Sequence, residues 1–153
     1  MKRGHFLPRI VLLFILVLIG YVAMFTWIQH RRVVKGPWAV TFVTESGVPA
    51  VVVNQPTLGV LDVRIVFPDE RVATNVNQTL EFSEAREVPF DVPFGKCIFL
   101  DPLFLPGTVV LEEFGHEVQL LPRVLTIDKA ERPWCSGETI ELHKPAIPPQ
   151  PTK

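Results

Sequence analysis

Nineteen consecutive residues, Ile10 to Ile28, carry no charge, no proline and a single glycine, Gly20. As a helix they reach about 28 Å, close to the hydrocarbon thickness of a bilayer. A buried helix of a small domain would show a polar stripe, and this run shows none. Trp27 falls where an interfacial aromatic belongs. The run therefore predicts one N-terminal transmembrane helix, Ile10–Ile28, and makes the lipid bilayer the first expected partner. A secretory signal has a shorter apolar region followed by small residues. Here the run ends in the bulky Met24-Phe25-Thr26-Trp27-Ile28, with no cysteine after it. An uncleaved signal anchor is the expectation.

Basic residues flank both ends: Lys2, Arg3 and Arg9 before the span, Arg31, Arg32 and Lys35 after it. The positive-inside count is thus nearly balanced. A short basic head, one span and a following domain is the usual export arrangement. It predicts a single-pass protein of the cell (inner) membrane, with residues 1–9 cytoplasmic, 29–36 a basic linker and the remainder extracytoplasmic (periplasmic). From Pro37 onward there are 9 Lys/Arg against 16 Asp/Glu, a net of −7. Such a domain is repelled by phosphate backbones, so no nucleic-acid partner is expected.

Residues 37–143 read as β structure. Trp38 to Thr44 alternates, Glu45-Ser46-Gly47 turns, and Val48 to Val53 returns, which is a hairpin signature. Further extended runs are Val60–Phe67, Thr79–Phe82, Lys96–Leu100, Thr108–Phe114, His116–Leu121 and Arg123–Ile127, with Arg71–Gln78 as polar loop. β-branched and aromatic residues dominate these runs, and the fifteen prolines fall mostly between them. That keeps strands short and edges unreceptive. The expected fold is all-β, a single antiparallel, immunoglobulin-like β-sandwich of about seven to nine short strands, with a small open barrel as the runner-up.

Two segments depart from the pattern. Val88-Pro89-Phe90 is repeated as Val92-Pro93-Phe94, and prolines this close exclude a central strand. The segment reads as an edge or crossing piece. Phe90 and Phe94 either cap the end of the core or form a partner-binding lip. Residues 144–153 hold four prolines and read as an extended, disordered tail.

No reactive motif emerges. His116-Glu117 begins like a zinc-protease helix, but Leu120 stands where histidine is required. Glycine-rich phosphate loops, nucleophile elbows and Cys-x-x-Cys pairs are absent. The pairs Asp69-Glu70 and Glu112-Glu113 are adjacent, so in extended chain their side chains point to opposite faces, and a solvated surface is their simplest role. His116, after Gly115, reads as a turn residue. Cys97, Cys135, His116 and His143 are the only candidate soft ligands in the domain, and none has ligand spacing. An exported pair of cysteines suggests one disulfide, Cys97–Cys135; two unrelated thiols, with Cys97 in the core, is the other reading. No cofactor is expected.

Phe94-Gly95-Lys96-Cys97-Ile98-Phe99, Leu105-Pro106-Gly107 and Leu125-Thr126-Ile127-Asp128 together resemble part of the copper-delivery family of single-span proteins with an exported immunoglobulin-like domain. That family holds copper on a Cys-x-Cys pair. Phe99 stands here where the second thiol belongs, so the resemblance implies no copper site. The functional expectation is a membrane-anchored, non-enzymatic interaction or scaffold module of the cell envelope, whose β-domain docks on another envelope protein or a membrane complex. The alternative is a metallochaperone or redox accessory using Cys97, Cys135, His116 and His143.

Overall fold

The computed structural model describes residues 6–33 and 35–144. Lys2 and Arg3 of the basic head and residues 145–153 of the tail lie outside the described residues. The chain forms two compact units, residues 1–34 and 35–153.

The described residues of the first unit form one helix, α1 (Phe6–Val33). Pro8 sits in its first turn, where a backbone N–H has no acceptor to lose. Gln29 to Val33, read from sequence as linker, are helical instead. Glutamine, histidine and arginine all tolerate a helix, and the first strong breaker is Gly36. Leu7–Arg31 is long and apolar enough to cross a membrane, as a membrane anchor or a signal sequence would be. The side chains of its central stretch stay exposed, from Ile15 at 46% to Phe14 at 67%.

The described residues of the second unit form two sheets and eleven strands. β1 (Ala39–Glu45), β2 (Val48–Gln55) and β3 (Val60–Val66) form a meander, and β4 (Asn77–Glu81) returns to lie antiparallel beside β1. Three hairpin-linked strands with the fourth against the first make a Greek key. β5 (Phe90–Val92), β6 (Gly95–Asp101), β7 (Thr108–Glu113), β8 (His116–Leu120), β9 (Leu125–Ile127) and β10 (Ala130–Arg132) then form a second, wholly antiparallel sheet in chain order. β11 (Thr139–Glu141) rejoins the first sheet, parallel to β3.

Eleven strands exceed the seven to nine expected. β5, β9, β10 and β11 are three residues each. β9 lies within the predicted run Arg123–Ile127, whereas the other three show no alternation of their own, so only pairing with a neighbour defines them. The Val-Pro-Phe segment supplies β5, an edge strand bounded by Pro89 and Pro93.

Tight turns fix the register. Ser46-Gly47, Phe114-Gly115 and Asp128-Lys129 each place two residues at positive φ. That backbone matches the twist of a two-residue hairpin. Inward residues of both sheets meet in one core, including Trp38, Phe42, Val53 and Ile65 from the first, and Cys97, Leu111, Val118 and Leu120 from the second. Fully burying side chains of this size contributes roughly 1.5–3 kcal/mol each.

The registers define two ends. At the proximal end, where the chain comes in from α1, Gln55 Nε2 donates to the carbonyls of Lys35, Gly36 and Pro37 at 2.8–3.0 Å. There Trp38 Nε1 donates to the Gly107 carbonyl at 3.1 Å, and Trp38 packs on Trp134 with ring centroids 5.2 Å apart. The distal end holds the three two-residue turns and the Phe67–Phe114 ring pair, centroids 4.9 Å apart.

Candidate functional site

The four candidate soft ligands have separate roles. Cys97 lies on β6 with none of its surface exposed, and its thiol sits 3.4 Å from the Phe99 carbonyl. Burial pushes this thiol up to about 11, against a smaller opposing effect of the Phe99 bond. Cys135 is exposed in the segment after β10, and both cysteines are free. The expected disulfide is therefore not formed: one thiol faces the core and the other faces solvent. His143 is exposed and lies 3.1 Å from Asp69 Oδ2. Among the described residues, no group of three or more His, Cys, Asp and Glu side chains is arranged to hold a metal ion.

His116 is not a turn residue. It opens β8, is 5% exposed, and its Nδ1 stands 2.6 Å from Asp128 Oδ2. The other oxygen of this carboxylate, Oδ1, accepts the Glu117 backbone N–H at 2.9 Å. Asp128 is partly desolvated, which raises its pKa, but the bonds from His116 and Glu117 outweigh that and hold it below the usual carboxylate range. Its partner turn residue, Lys129, sits at φ 69°.

Opposite His116 in the β7–β8 register stands Glu113. It is 1% exposed, and neither carboxylate oxygen has a hydrogen-bond partner. Burial pushes its carboxyl up to about 8, so at neutral pH it is mostly a protonated acid. The solvated role expected for the Glu112-Glu113 pair holds for Glu112 alone. Period-2 alternation carried the missed signal, because Val109, Leu111 and Glu113 share one face of β7. Glu113, His116 and Asp128 form a line from the core to the surface at the distal end. Glu113 has no exposed edge against which a substrate would bind.

The two phenylalanines separate. Phe94 is core, 7% exposed, in edge contact with Phe42 at 5.7 Å between centroids. Phe90 is half-buried and lines a cleft of about 330 Å³ with Leu80, Phe82 and Leu100, rimmed by Glu81, Glu84 and Arg86. The Arg86 guanidinium lies 5.6 Å from the Phe90 ring centroid. The cleft opens between β4 and β5, the last strands of their sheets on that side. Leu80 and Leu100 each lie ten positions from Phe90 in the chain, and only the closing of one sheet over the other brings them together. An apolar floor with a mixed-charge rim suits a protein segment better than a reacting small molecule.

Compared with known proteins, the chain matches no family model, no curated protein and no solved structure.

Proposed function

We propose that this chain is a membrane-anchored, non-enzymatic interaction module of the cell envelope. In this reading α1 is an uncleaved signal anchor with its N-terminus in the cytoplasm, and the β unit is extracytoplasmic. The β unit is taken as a β-sandwich. Its Greek key is the motif of most sandwiches. It is immunoglobulin-like in that sense, although its chain fills one sheet before the other, whereas immunoglobulin strands interleave.

The observation carrying the proposal is α1 itself: more than four turns of exposed apolar side chain with no polar stripe. Such a surface is stable only where water is absent. Beside it, the absence of any grouped set of ligands among the described residues gives the metallochaperone alternative no support. The docking site is the cleft at Phe90, and the partner is another envelope or membrane protein.

A photo-crosslinking residue in place of Phe90, activated in intact membranes, tests the docking. One defined adduct is expected, lost when Leu100→Asp charges the cleft floor. A monomer with no adduct under every membrane and detergent condition would reject the docking role.

A further inference from the structure

The β unit exposes five large apolar side chains among the described residues: Leu61 at 47%, Val88 at 36%, Phe99 at 49%, Leu103 at 52% and Phe104 at 55%. Their positions are not scattered. Leu61 follows the first residue of β3, which pairs with Gln55 at the proximal end. Leu103 and Phe104 form the tip of the β6–β7 loop, whose Gly107 carbonyl accepts from Trp38. Phe99 lies two residues before the last residue of β6, and Val88 precedes β5 on the same side. The distal turns instead present Ser46, Gly115, Asp128 and Lys129.

The end with the apolar surface is also the end at which the chain comes in from α1. Residues 34 to 37 are all that separate α1 from the buried Trp38. Four extended residues span at most about 14 Å. Gln55 holds three of them by their carbonyls, which leaves little free tether. The loop tip is itself braced: the Leu103 N–H donates to Asp101 Oδ1 at 3.0 Å, and Pro106 is buried. A braced loop can present its tip without first losing conformational freedom.

We infer that the proximal end of the β unit is a lipid-contacting surface, with Leu103 and Phe104 seated in the headgroup–acyl boundary of the bilayer that α1 spans. The inference rests on the anchor reading above. Two bulky apolar side chains on a braced loop, beside a short tether, are what interfacial binding requires, since its strength follows buried apolar area. Contact at this end leaves the distal turns facing away from the lipid.

The test uses the full-length protein in phosphatidylcholine vesicles. In a Cys135→Ser background, which leaves only the buried Cys97, a polarity-sensitive fluorophore is placed at Leu103→Cys or at Ser46→Cys. Nitroxide-labelled lipid should quench the position 103 probe at least threefold more than the position 46 probe, and the emission at 103 should be blue-shifted. Flotation of the same vesicles reports separately on α1. Protein that floats while position 103 is quenched no more than position 46 overturns the lipid contact and leaves the anchor intact. A blue-shifted probe that lipid nitroxide does not quench means another protein copy covers the loop, and overturns it equally. Protein that fails to float overturns the anchor reading, and this inference with it.

Discussion

Glu113 places an acid where nothing accepts or donates to it, so its ionisation state is coupled to folding. Its carboxyl is held at about 8 in the fold against an ordinary value of 4.5. Between those values it is protonated when folded and ionised when unfolded, so the folded state binds more protons and stability falls as pH rises. The slope approaches about 1.4 kcal/mol per pH unit, on the order of 3 kcal/mol lost by pH 7. Denaturant unfolding in mild detergent, followed by tryptophan fluorescence, should show that decline, and Glu113→Gln should flatten it. A wild-type profile level from pH 5 to 8 would contradict the assignment. The cysteines supply a second prediction at this scale. Cys135 is exposed and Cys97 is buried with a thiol held near 11, so native maleimide labelling should add one adduct and denaturation a second. Two adducts on the native protein would mean that Cys97 is not where the core needs it.

Among the elements, α1 and the β6–β7 loop depend on single positions for different reasons. Leu18→Arg puts a charge at the middle of the apolar run, at a cost of roughly 2.5–3.5 kcal/mol for insertion. Carbonate-washed membranes should lose most of this variant while retaining the parent. Gly107 has φ 68°, and a Cβ there would run into the Asp101 backbone carbonyl. Its own carbonyl accepts the Trp38 indole N–H. Gly107→Ala should lower the unfolding midpoint by several degrees, a cost of about 1–3 kcal/mol. Gly59→Ala, also at positive φ but with open space around it, should cost less. Longer elements were readable from the chain because alternation or unbroken apolarity extends over five or more residues, as in β1, β2, β7 and α1. Of the three-residue strands only β9 was, within the run Arg123–Ile127; β5, β10 and β11 were not, because their apolar content is one or two residues. Phe90–Val92 is a strand only through its pairing with Gly95–Cys97.

Taken whole, the molecule is asymmetric along the β unit, with apolar side chains at the proximal end and the Glu113–His116–Asp128 line at the other. The net of −7 after residue 36 should keep the protein off nucleic acid at physiological salt, and gel shift with random duplex should show no complex. The sequence by itself determined the greasy N-terminal helix, the β character of residues 37–143 and the acidic balance, because each depends on composition or on a period within one segment. It also kept Phe90 out of any central strand, as part of an edge or crossing piece, since two nearby prolines forbid one. Only the tertiary structure decided that Cys97 and Cys135 stay apart, that His116 is buried beside Asp128, and that Phe94 is core while Phe90 lines a cleft. Those outcomes depend on which sheet closes over which face. That is fixed by contacts between residues tens of positions apart, and no local pattern in the chain records such contacts.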